Sequence, residues 1–139
     1  KKALTANNLE YNDDLVKFCD TTNTAKLDEN LAQALKEIML QKPDAIFTAT
    51  DQLTTKCLFI LNKLGYKIPQ DVALIGFSNT DLAAVLNPAL TTIHQPAFEI
   101  GNLAAEQLLS LIDNKLTSTF KTILLDTEIQ VRASSKKSV

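Results

Sequence analysis

The chain has 139 residues, 45% of them hydrophobic and 22% charged, with a formal net charge of −2. That length suits one domain with one core. The acidic balance argues against a surface that clamps DNA phosphates, and no apolar stretch reaches membrane-spanning length. No basic-then-apolar leader opens the chain, and "KKALTANNL" reads as the tail of a helix, so the sequence is taken as a fragment. Cys19 and Cys57 lie far apart in apolar contexts with no CxxC spacing, which predicts two reduced, buried thiols.

Taken in chain order, residues 15–19 ("LVKFC") read as a strand. From Asp28, "DENLAQALKEIMLQ" sets Leu31, Leu35, Ile38 and Met39 at helical spacing, and the acidic opening suits a helix N-terminus. "KPD" breaks that helix and "AIF" is a short buried strand. Residues 51–64 form a helix that Gly65 stops. "IPQD" is a turn, and "VALIGF" is a second buried strand. A short helix over 82–86 ends before Pro88. "LTTIHQ" is extended, because Gln95 precedes Pro96. Pro96 opens a long helix to about Lys115, with Ile100, Leu103, Ala104, Leu108, Leu111 and Ile112 on one stripe. "TILLDTEIQVR" reads as two strands joined by a bend at Asp126. "RASSKKSV" is read as a frayed basic end.

Strands alternating with helices, and strands that are apolar throughout, predict an α/β fold: a parallel sheet covered on both faces. In such sheets ligands bind beyond the carboxyl ends of the strands. Two segments share one design, "AIFTATD" and "ALIGFSNTD". Each runs from an apolar strand into small polar residues and then into a helix start. Two parallel strands ending side by side at a ligand crevice would account for the repetition. The plainer alternative is that Thr50 or Asp51, and Asn79 or Thr80, only cap helices. Thr50 and Ser78 stand nearest the strand ends and are read as ligand contacts.

Enzyme chemistry finds little support. The three glycines, Gly65, Gly76 and Gly101, are scattered, so no phosphate-cradling loop is present. His94 is the one histidine; no GxSxG elbow accompanies it, and neither a nucleophilic triad nor a metal site can be assembled around it. Asp13, Asp14, Asp28 and Glu29 read as surface or helix-start charges. No cofactor is expected.

The stretch "PDAIFTATDQL…LGYKIPQDVALIGFSNTDLAAVLNPALTTIHQPAFEIGNLAAEQLLSLI" resembles the lactose-repressor (LacI/GalR) family of bacterial transcription regulators. The resemblance is close over 43–112 and looser elsewhere. "IPQDVALIGFSN" followed by "NPALTTIHQP" carries most of it.

The resemblance implies a three-layer sandwich, the C-terminal lobe of a type-I periplasmic-binding-protein-like fold, occupying residues 1–139. It implies that the helix over 96–116 crosses to the N-terminal lobe, and that the DNA-reading head is absent from this chain. Thr50 stands where many members have a ligand-binding Asn, and Asp51 matches the Asp that follows it. Ser78 replaces an Asp that grips ligand with two oxygens, Asn79 follows it, and Gln95 matches a crossover residue near the ligand. A serine cannot supply that charged, two-oxygen acceptor. No stacking aromatic occurs in "CDTTNTAK".

The family's homodimer interface would fall on Thr54, Thr55, Leu58, Leu82, Val85 and Leu86. Leu58 and Phe59 lie off the apolar stripe formed by Leu53, Cys57, Ile60, Leu61 and Leu64. The expected partners are a small effector (a sugar, a sugar derivative or a nucleobase-like molecule), a second copy of the chain, and operator DNA through the missing head. No membrane is involved, and the setting is the cytoplasm. A periplasmic solute receptor of the same fold is the first alternative, and a small α/β enzyme is the remote one.

Overall fold

The computed structural model describes residues 1–77, 80–113 and 121–136. A short helix α1 (Lys2–Ala6) and a 3-10 turn (Asp13–Leu15) precede α2 (Thr24–Leu40). The expected strand over 15–19 does not form: residues 16–20 join no ladder, and Phe18 is 96% exposed. Extended chain becomes a strand only where a partner takes its N–H and C=O groups. This stretch is tied down instead by Lys17, whose Nζ lies 2.7 Å from Glu37 Oε2.

Helix α2 starts four residues before Asp28 and gains Leu27 for its inner face. Leu27, Leu31, Leu35 and Met39 recur every fourth residue and are all buried. Burying each such side chain contributes roughly 1.5–3 kcal/mol.

Among the described residues four strands follow: β1 (Ala45–Thr48), β2 (Ala73–Gly76), β3 (Thr91–His94) and β4 (Glu128–Gln130). They lie in the order β1-β2-β3-β4, the first three parallel and β4 antiparallel to β3. Between β1 and β2 runs α3 (Asp51–Lys63). Its end is closed by Gly65 at φ +86°, with Gly65 N–H donating to Asn62 O and Tyr66 N–H donating to Leu61 O. After β2 comes a short helix of 3-10 type, Asp81–Ala84, where one is expected over 82–86. After β3 comes α4 (Ala97–Ile112).

The inward residues of β1 and β2 are Ile46, Thr48, Leu74 and Gly76. Helix α3 packs on them, and α2 packs on α3, so Leu31, Leu35, Cys57, Leu61 and Leu74 share one core. The opposite face is different. Phe47, Ile129 and Val131 are 59%, 60% and 64% exposed. The α/β architecture and mostly parallel sheet are as expected, but the described residues do not supply the expected second helical layer.

Helix α4 also has no buried residue. Ile100, Leu108, Leu111 and Ile112 are each about half exposed or more. The expected strand over 122–126 forms no ladder, and Leu124 is 89% exposed.

Within the segment expected to fray, Arg132 and Ser134 are instead anchored. Ser134 is fully buried: its Oγ donates to Leu74 O (2.6 Å) and accepts from Thr91 N–H (2.8 Å). Its backbone bonds there as well, accepting from Leu74 N–H of β2 and donating to Ala89 O just before β3. Arg132 donates to Leu90 O, Thr92 Oγ1 and Gln130 Oε1.

Candidate functional site

The parallel strands end together. Thr48 pairs with Gly76 at the carboxyl ends of β1 and β2, and Phe77 N–H donates to Thr48 O at 2.8 Å, so the two chains stay bonded past the strand ends. Strand β3 is in register with β2 through Ile75–Thr91 and Gly76–Thr92, and runs on to His94. Thr50 and Asp51 therefore follow β1, and Gln95 follows β3, on one edge of the sheet. The Ser78 and Asn79 expectations lie outside the described residues.

Thr50 is a helix cap. Its Oγ1 accepts from Leu53 N–H at 3.2 Å and its carbonyl accepts from Thr54 N–H at 2.9 Å. The cap occupies one lone pair of an exposed hydroxyl, whose hydrogen remains available as a donor. Asp51 is exposed in the first turn of α3, where the helix dipole favours a carboxylate. Thr80 caps the following 3-10 turn, accepting from Leu82 N–H at 3.3 Å. The capping alternative thus describes the local role of Thr50 and Thr80.

Gln95 is half-buried and lines a cavity of about 590 Å³, together with Phe77, Ile100, Leu108 and Leu124. Thr50 and Asp51 do not reach it. Its wall is mostly aliphatic, with Gln95, Gln107 and Thr127 as the polar exceptions. A hydroxyl-rich molecule needs paired donors and acceptors, which this wall lacks. The polar rim at the strand ends is the better candidate for a polar ligand.

The interface expectations divide. Leu82 and Val85 are 60% and 76% exposed, and Phe59 of α3 is 66% exposed. Thr55 is partly exposed, and Leu86 is half-buried against the core. Thr54 and Leu58 do not fit: they are 0% and 5% exposed within their own chain. Leu58 belongs to the core between the helices and the sheet. Thr54 faces the sheet, its Oγ1 2.7 Å from that of Thr48. Reasoning from apolar spacing missed this Thr48–Thr54 pair and the Gly76 beneath it. The one signal was a glycine at the very end of an apolar strand.

Cys57 is buried, and burial pushes its thiol up to about 12; Cys19, half-buried, is raised by the same cause. Among the described residues no cluster of His, Cys, Asp or Glu has a metal-binding arrangement, and no helix is long and apolar enough to cross a membrane.

A mostly parallel sheet whose β1, β2 and β3 end on one edge, the edge beyond which ligands bind in folds of this class, defines the architecture. The model of the periplasmic binding protein-like domain matches residues 1–135, and the chain belongs to that family, in its LacI/GalR branch. The transcriptional regulator CelR of Thermobifida fusca is 31% identical over 136 residues, 96% of this chain and 38% of that protein. Catabolite control protein A of Priestia megaterium is 33% identical over 98% of this chain and 40% of its own length. A CelR–cellobiose complex superposes with a TM-score of 0.82 at 29% identity, covering 96% of this chain and 39% of that one. The chain thus spans about two fifths of the length of these regulators, which as a class are not enzymes.

Proposed function

We propose that residues 1–139 are the effector-sensing and dimerising part of a DNA-binding transcriptional regulator. The observation that carries this reading is the shared edge of three parallel strands, with Thr50, Asp51 and Gln95 on it. The effector is a sugar, a sugar derivative or a nucleobase-like molecule. This is in keeping with relatives that include a cellobiose complex, a ribose-bound LacI-family regulator from Enterococcus faecium and the repressor PurR of Vibrio campbellii. Thr50 gives a hydroxyl donor, Gln95 an amide, and Asp51 a carboxylate. Ser78 and Asn79 follow β2 in sequence. Ser78 offers a neutral hydroxyl where a charged acceptor is usual, so the ligand relies less on a charged two-point grip.

No bond is made or broken. The effector favours one arrangement of two lobes, and the dimer carries that preference to DNA-reading heads outside this chain. Residues 96–116 cross to the other lobe, which gives the exposed stripe of α4 a bed. The dimer surface is Thr55, Phe59, Leu82 and Val85, with Leu86 at its margin. Thr54 and Leu58 are left out of it. The protein works in the cytoplasm, where its DNA is.

The test is binding of the full-length gene product to DNA from upstream of its own gene, followed by fluorescence anisotropy with cellobiose, ribose and purine bases added in turn. One compound class should change DNA affinity by about 5- to 150-fold. Sugar binding without any DNA binding would make the protein a solute receptor and overturn the reading.

A further inference from the structure

Where β1 and β2 end, three hydrogen-bond contacts compete for two hydroxyl hydrogens. Thr48 Oγ1 and Thr54 Oγ1 are 2.7 Å apart. Thr54 Oγ1 is also 2.7 Å from Thr50 O, and Thr48 Oγ1 is 3.3 Å from Ile75 O. Each hydroxyl has one hydrogen. In one arrangement Thr48 donates to Thr54, and Thr54 donates to Thr50 O. In the other, Thr54 donates to Thr48, and Thr48 donates to Ile75 O. The shorter outer contact favours the first. That arrangement is an unbroken chain of O–H bonds from the end of β1 to the backbone of Thr50, the cap of α3. Thr54 is 0% exposed, so water does not substitute for the bond. The chain lies directly over Gly76, the end of β2.

We infer that Thr54 is a positioning residue for the effector site: its buried hydroxyl ties Thr50 to Thr48 and fixes how the Thr50 loop sits beside the neighbouring strand end. The inference rests on the reading of Thr50 as an effector contact and deepens it. Two substitutions separate this tie from simple packing. Valine keeps the shape over Gly76 and cuts the tie. Thr48 still has Ile75 O to donate to, so no buried donor is stranded and stability holds. Serine keeps the hydroxyl and loses the methyl group. A packing role therefore ranks serine as the worse variant, and a positioning role ranks valine as the worse one.

The experiment is hydrogen exchange on the full-length gene product carrying Thr54→Val or Thr54→Ser, read at the Leu53 and Thr54 amides. Those amides donate to Thr50 Oγ1 and Thr50 O. Cellobiose and ribose affinities are measured alongside. Thr54→Val should exchange about five- to tenfold faster there, melt near the parent and bind the effector sugar more weakly; Thr54→Ser should melt lower but keep the parental exchange. Parental exchange in Thr54→Val, or equally fast exchange in both variants, overturns the inference. If neither sugar binds the parent, the effector reading fails for those sugars, while the exchange ranking still decides the tie.

Discussion

A Cβ placed on Gly76 would come within 2.5 Å of Thr54 Cγ2, closer than real side chains approach. The glycine is demanded by what packs over it, since it is not among the positive-φ residues. Gly76→Ala should destabilise the fold by about 1–3 kcal/mol, as overpacking does. Adding Thr54→Ala removes the colliding atoms, so the double variant should recover part of that loss in denaturant melts; simple additivity would show that the two sites do not touch. This contact also explains why Thr54 was misread from sequence. The family resemblance alone puts Thr54 on the dimer surface, and its real surroundings come from a glycine on another strand. Cys57 was readable, because an isolated cysteine in an apolar run is usually a buried one, whereas Cys19 is only half-buried, on a stretch that joins no strand. Thr50 was readable as a polar residue at a strand end, and its cap bond required the register of the α3 backbone.

At the scale of elements, punctuation was the most legible feature. Gly65 at φ +86° ends α3 in a conformation that costs a side chain dearly. Gly65→Ala should lower stability by about 1 kcal/mol with no other change in the fold, and thermal melting with circular dichroism checks this. Helices α2, α3 and α4 were legible for the same reason that β1, β2 and β3 were: each carries its own period and its own stop. The segments at 15–19 and 122–126 were not, although both are rich in apolar residues. A strand is a relation between two chains, and apolar character cannot say whether the partner is present. The 3-10 turn at Asp81–Ala84 is the mirror case, where the Thr80 cap was visible but four residues are too few to set the helix type.

At the scale of the molecule, one surface dominates. Helix α4 and the returning segment expose Phe98, Leu108, Leu109, Leu111 and Leu124, all more than half accessible. Contiguous apolar area of this kind drives association. Residues 1–139 alone should self-associate through α4, so the mean mass in sedimentation should rise above the 15.3 kDa of one chain as concentration increases. Leu108→Asp with Leu111→Asp should return it to the monomer. A monomer at every concentration would mean that α4 finds cover on its own chain. The net charge of −2 argues against a DNA-clamping surface on these residues, because composition reports on the whole surface at once.

The anchoring of Ser134 has a bearing on how the chain is made. Its side chain and backbone close the sheet by bonding Leu74, Ala89 and Thr91, residues translated long before it. The helices α2 and α3 can pair as they leave the ribosome, since their contacts are near neighbours in sequence. Strands β2 and β3 pair directly, but the Ser134 bonds that reinforce them come from a residue 43 positions after Thr91. Until then the nascent chain exposes the Leu74 and Thr91 backbone groups as open acceptors and donors. A ribosome that stops before Arg132 would release a chain with its helices formed and its sheet unlocked.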